Sequence, residues 1–328
     1  MSLVALLLVT SACAFGATVV TYPVPDAVTD SPYTVTVDGR SVPIEQAARI
    51  DRAYYARFQS KGTCRVTVTA DRYAELTLKP EKYRTRLDGG LKTISFDVDK
   101  PGPRVITGTL DGREIPPLMV LVDPCKTIKP PSKKVYDVRK YLEGAANQTE
   151  AIQKALDDCA AKGGGTVYFA PGVYRTGTIR IKDNTTVYLA PGSLIRAVDD
   201  PAGFPVDEGR KEYGTHGPVC SFSRVVMFDR CKNSSIRGYG VIDGNGDVIR
   251  NKHHRHVQLM DVTGCENIRI ENIVLRNSAE WTLHILGCRK VNVDNLKIIN
   301  DYAVHNTDGI DPDCSQDVRI SRYFGFCG

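Results

Sequence analysis

Apolar residues occupy every second position through the first third of this chain. Thr34-Val35-Thr36-Val37, Arg65-Val66-Thr67-Val68-Thr69, Glu75-Leu76-Thr77-Leu78 and Thr93-Ile94-Ser95-Phe96-Asp97-Val98 all alternate in this way. That period belongs to strands with one buried face, and Asp38-Gly39, Asp88-Gly89-Gly90 and Asp111-Gly112 punctuate them as turns. The pattern predicts a small antiparallel β-sandwich over residues 17–123, read as a packing or spacer module because no catalytic set assembles within it. Cys64 and Cys125 bracket much of it and are candidates for a disulfide, which spacing alone does not establish.

Residues 124–133, rich in proline and lysine, read as a solvated linker. No aromatic residues interleave with the lysines, so a nucleic-acid surface is not indicated. Beyond the linker the rhythm changes. Thr149 is placed to cap a helix whose Ile152, Ala155, Leu156 and Cys159 share one face, and Gly163-Gly164-Gly165 stops it. The glycine triplet follows the helix and lacks a Gly-Lys-Ser/Thr ending, so it is a turn and not a phosphate loop.

The rest of the chain repeats itself. Cys265-Glu-Asn-Ile268-Arg-Ile270-Glu-Asn-Ile273 is echoed by Cys288-Arg-Lys-Val291-Asn-Val293-Asp-Asn-Leu296, more loosely from Cys314 to Ile320, and more poorly from Cys231 to Ile242. Units this short cannot bury an apolar face alone, and stacking them makes a solenoid with one continuous core. Their Val, Ile and Asn content predicts a parallel β-helix over residues 134–328. The matched cysteines, and Asn272 with Asn295, are then expected as ladders of like side chains; no paired Cys-x-x-Cys spacing suggests a metal.

Composition adds bounds to this picture. With 42% hydrophobic and 25% charged residues, the 328-residue chain has a globular balance. Its net charge of +5 suits an acidic polymer without demanding one. Residues 1–16 end an apolar run at Ala12-Cys13-Ala14, which reads as an export signal and points to a secreted or periplasmic protein. Lipoprotein anchoring through Cys13 is the rival, although Thr10 stands where a large aliphatic residue would be expected. No other stretch is apolar enough to span a membrane. Ten cysteines agree with export.

Several residues invite chemistry. Lys252-His253-His254-Arg255-His256 groups three histidines without a carboxylate or thiolate at metal-ligand spacing, leaving a basic cleft edge or a solvated loop. Trp281 is either a core residue or a sugar-contacting platform. Asp243, Asp311 and Asp313 read as turn residues, with Asp311 near enough to Asp308 to influence it. Asp308 itself sits among small polar residues in Asn306-Thr307-Asp308-Gly309-Ile310-Asp311.

Together, residues 134–328 resemble glycoside hydrolase family 28, the polygalacturonase-type pectin hydrolases. The resemblance rests on Thr149 to Tyr174, on Gly238-Tyr-Gly-Val-Ile-Asp-Gly-Asn-Gly246, on Asn277-Ser278-Ala-Glu-Trp281-Thr-Leu-His284 with Ala279 for the usual proline, and on Asn306 to Asp311. It implies an all-β protein with a right-handed parallel β-helix, and inverting, metal- and cofactor-free hydrolysis of galacturonan or rhamnogalacturonan by a monomer. Asp308 is implied as the water-activating carboxylate, with Asn306, His284 and Trp281 at the substrate. The family's Asp-Asp pair would begin where this chain ends. The general acid, a Gly-His-Gly and an Arg-x-Lys are therefore expected outside it, and a truncated chain inactive alone is the expectation. A lyase on the same β-helix, with calcium and a basic catalyst, and a non-catalytic, adhesin-like binder are the alternatives.

Overall fold

The computed structural model describes residues 10–12, 17–80, 88–89, 91–126, 131–145, 147–206 and 223–327. They divide into two compact units, Met1–Ala47 with Arg52–Ile128, and Ala48–Asp51 with Lys129–Gly328. The segment read as an export signal lies outside the described residues except for Thr10–Ala12, which pair antiparallel with Thr18–Val20. Among the described residues no helix is long and apolar enough to cross a membrane.

The first unit holds a seven-stranded and a five-stranded sheet among its described residues. In Cys64–Ala70 every second side chain is buried, as the alternation requires, and Val35, Val66, Val68 and Phe96 join one apolar core. One pairing departs from the antiparallel expectation. Ala53–Lys61 runs parallel to Arg113–Pro124, with Tyr54 opposite Leu118, so the larger sheet is mixed. Asp88 and Gly89, expected in a turn, pair with Ser95 and Ile94; Gly90 is outside the described residues. Cys64 and Cys125 are free thiols, so the disulfide they suggested is not formed.

The second unit opens on a helix, Gln148–Ala161, with Ala151, Ile152, Ala155, Leu156 and Cys159 buried. Asn147, not Thr149, caps it by accepting from the Thr149 amide at 2.9 Å. Thr149 instead accepts from the Gly177 amide at 2.8 Å and ties the helix to the first coil. Gly163 and Gly164 end it at φ +78° and +95°, backbone that a side chain would strain.

Three parallel sheets follow, of seven, six and five strands among the described residues. The first runs from Val135–Asp137 to Gln316–Ser321, the second from Gly172–Thr176 to Phe324–Phe326, and the third from Ile179–Ile181 to Ile310–Asp313. Each strand pairs with its counterpart one coil on, which makes a parallel β-helix. Buried residues stack in register, Ile268 on Val291 and Ile270 on Val293, and the columns run on to half-buried Val318 and exposed Ile320. Burying one such side chain is worth about 1.5–3 kcal/mol, and the stack supplies the core.

Two ladders reinforce it. Cys231 and Cys265 place their sulfurs 3.6 Å apart, and the Cys265 amide donates to the Cys288 sulfur. The expected continuation to Cys314 fails by one position. Ser315 accepts from the Cys288 amide at 2.9 Å, while Cys314 takes the positive-φ site that Gly264 and Gly287 fill in the coils before, and is exposed.

Candidate active site

The third sheet carries the candidate residues. Its strands Ser223–Asp229, Val257–Thr263, Leu283–Leu286 and Ile310–Asp313 stack in parallel, so side chains at matched offsets form columns. Asp261, His284 and Asp311 form one column, because Asp261 pairs with His284 and His284 with Asp311. Leu283 pairs with Ile310, which sets Trp281 one coil from Asp308, and the Thr282 amide donates to the Asp308 carbonyl at 2.9 Å.

Local contacts fix the Asp308 turn. Thr307 is fully buried, donates its hydroxyl to the Val304 carbonyl at 3.2 Å, and accepts from the Asn300 side chain at 3.0 Å on its own carbonyl. On either side of this anchor, Asn306 and Asp308 are exposed, Asn306 in left-handed backbone at φ +59°. Thus Asn306-Thr307-Asp308 is a buried peg carrying two solvent-facing polar groups.

Asp311 lies in a strand, as does Asp313, contrary to the turn reading, because both continue the pairing that begins at Ile310. Burial, and then the charge of Asp308, push the Asp311 carboxyl up to about 6. One of its oxygens is buried without a hydrogen-bond partner. Asp261, two column positions back, is fully buried but answered by Arg224 Nε at 2.8 Å and the Thr263 hydroxyl at 2.9 Å. His284 Nδ1 stands 3.7 Å from Asp261, and the Trp281 ring meets the His284 ring edge-on at 5.1 Å. Trp281 is half-buried and outside the apolar core, so the core reading of this residue does not hold.

Two ionic clusters flank this face. Glu280, 3% exposed, binds Arg250 and lies 2.8 Å from His256 Nδ1. Sequence reasoning passed over Glu280, although it stands inside the Asn277-to-His284 segment; only a charge among apolar neighbours could have signalled it. Asp243 is also no turn residue. It closes the strand Val241–Asp243, is fully buried, and is bound by Arg276 at 2.9 Å and Arg196 at 3.0 Å. Burial alone would raise its pKa, and the arginines hold it far below the usual carboxylate range. A charge so neutralised holds structure and has no proton to exchange near neutral pH.

Lys252, His253 and His254 close the six-residue π-helical turn Asp247–Lys252 and its exit. Among the described residues no three His, Cys, Asp or Glu side chains converge as metal ligands. The structure thus brings Trp281, His284, Asp308 and Asp311 onto one outward face, with Asn306 at its rim.

Stacked parallel coils with an ordered polar face define a parallel β-helix protein. Residues 208–324 match the sequence profile of glycosyl hydrolases family 28. The chain carries a domain of that family, the polygalacturonase type. Curated relatives include "Probable polygalacturonase" of Vitis vinifera, 25% identical over 201 residues, which cover 58% of this chain and 41% of that protein. "Exo-poly-alpha-D-galacturonosidase" of Dickeya chrysanthemi is 24% identical over 242 residues, covering 57% and 39%. The solved family 28 exopolygalacturonase of Yersinia enterocolitica has the same fold, with a TM-score of 0.50 and 18% identity across 96% of this chain and 62% of that one. The chain spans about two fifths of the length of these curated relatives.

Proposed function

We propose that this chain belongs to a pectin-degrading hydrolase that cleaves O-glycosidic bonds in a galacturonan-type polysaccharide, with inversion. The observation that carries the reading is exposed Asp308 close to Asp311, whose carboxyl is pushed up to about 6 by burial and then by the charge of Asp308, beside the Trp281–His284 pair. Such hydrolysis takes one carboxyl group to activate water and a second to protonate the leaving oxygen, spaced to admit the water between them. Asp308 is assigned the first role, Asn306 and Trp281 contact sugar, and His284 is a polar neighbour of the substrate held in place by Asp261. An acidic polymer agrees with the net charge of +5. Export to a secreted or periplasmic location is part of the same proposal.

Product analysis on polygalacturonate, with a version of the chain extended to carry the family's Asp-Asp, Gly-His-Gly and Arg-x-Lys motifs, tests it. Hydrolysis yields new reducing ends and no unsaturated sugar, and Asp308→Asn lowers the rate by about 10²–10⁴-fold. An unsaturated product overturns it in favour of a lyase. Binding with no cleavage by that extended version overturns it in favour of a non-catalytic binder.

A further inference from the structure

The outward face of the seven-stranded sheet of the β-helix, Val135–Asp137 to Gln316–Ser321, is not part of the site above, which lies on the five-stranded sheet of the same unit. Its inward residues, such as Val187, Ile268 and Val293, fill the core, so the alternating residues point away from it. Two outward columns run up the stack in register. One passes through Ser235, Arg269, Asn292 and Arg319. The other passes through Tyr168, Tyr188, Arg237 and Glu271. Successive members of a column are about 4.8 Å apart, the spacing of neighbouring strands.

The columns carry two kinds of feature. Tyr168 and Tyr188 are half-buried, with ring centroids 6.1 Å apart and planes tilted by 30°, giving a pair of neighbouring aromatic rings. Further along, a shallow groove of about 430 Å³ is lined by Asn267, Arg269, Glu271, Lys290, Asn292 and Arg319, with Asp317 at its rim. Cations just outside it are committed to acids: Lys232 and Arg289 to Glu266, and Arg322 to Asp294. Among the described residues Arg269, Lys290 and Arg319 make no such ion pair.

We propose that this face is a second, non-catalytic binding surface for an acidic polysaccharide whose sugars carry carboxylates. The chain lies along the stack, with sugar rings on Tyr168 and Tyr188 and carboxylates on Arg269, Lys290 and Arg319. Guanidinium groups match carboxylates in a fork, and tyrosine offers an apolar face with a polar tip. Glu271, Asp317 and the amides of Asn267 and Asn292 take sugar hydroxyls. The acids are what select this ligand over a polyanion without hydroxyls, such as a densely charged phosphate chain, which they would repel. Only the choice of polymer rests on the function proposed above.

The test is affinity electrophoresis of the full chain through gels containing polygalacturonate, fully methyl-esterified pectin, or polyphosphate. Retardation is expected in polygalacturonate and to weaken with salt. Arg269→Ala with Arg319→Ala is expected to weaken it about ten-fold, two exposed charge contacts being lost, with an unchanged melting midpoint. Tyr188→Ala weakens it to a degree that salt does not alter. Asp308→Asn leaves retardation in place, so loss of cleavage and loss of this surface are read separately. The control Lys100→Ala with Arg113→Ala removes equal charge from exposed positions elsewhere. Equal weakening by the control, unchanged retardation in the double variant, or stronger retardation in polyphosphate would each overturn the proposal.

Discussion

Asn295 donates its side-chain amide to Oδ1 of Asn272, one coil away, at 3.0 Å. Both residues sit in left-handed backbone, at φ +54° and +63°, where the chain turns from the first sheet into the second. Asparagine tolerates that backbone better than other side chains and also spends its amide on the neighbouring coil. Asn295→Ala loses both advantages. A loss of about 1–3 kcal/mol is expected, read as a lower urea midpoint at unchanged slope. Asn295→Gly, which keeps the backbone freedom, should recover part of it.

Asp311 predicts a pH dependence of a particular sign. Its folded pKa of about 6 lies above the ordinary 3.8, so the folded chain holds this proton more tightly than the unfolded one. Its contribution to stability therefore falls as pH rises from about 4 to about 6, and the penalty is complete above that window. Asp311→Asn is expected to melt higher than the parent at pH 7, with the difference shrinking toward pH 4. Asp308→Asn removes the neighbouring charge, and the carboxyl titration of Asp311 followed by NMR should move down.

Asp243 predicts the opposite sign. Its pKa is depressed by Arg276 and its neighbours, so its contribution is complete above the ordinary value of 3.8 and is lost as pH falls through lower values. Asp243→Asn leaves Arg276 buried without its counter-charge, which costs about 3–5 kcal/mol. The expected outcome is a lower melting temperature at pH 7 and a shallower loss of stability in acid. Equal melting temperatures at pH 7 would remove Asp243 from the structural role assigned to it.

Gly246 predicts a steric effect. Its backbone is ordinary, at φ −62°, but a Cβ there would fall against the carbonyl of Ser278. Backbone cannot swing aside as a side chain can. Gly246→Ala is expected to cost about 1–3 kcal/mol and to shift the segment that leads to Trp281, lowering its quenching by ligand.

Much of this was legible because period is local. The alternation in Cys64–Ala70 and the helix face from Ile152 to Cys159 appear in the structure as written in the chain. Where the reading failed, a neighbour distant in sequence decided. Ser315 displaced Cys314 from the cysteine ladder because pairing with the coil before puts Cys314 on the positive-φ site of Gly264 and Gly287, one position short of the ladder. Asn147 displaced Thr149 as cap because the Thr149 hydroxyl is taken by Gly177.

The sequence by itself determined the strand and coil rhythm and the family, and it nominated Asp308 as a candidate, since each rests on residues close together in the chain. The tertiary structure alone decided charge and exposure. It buried Asp243 among arginines, gave Glu280 to Arg250 and His256, set Asp311 in the field of Asp308, and left Arg269 and Arg319 open on another sheet. The physical reason is that a side chain's charge state depends on its dielectric surroundings and on partners several coils away, and local pattern encodes neither.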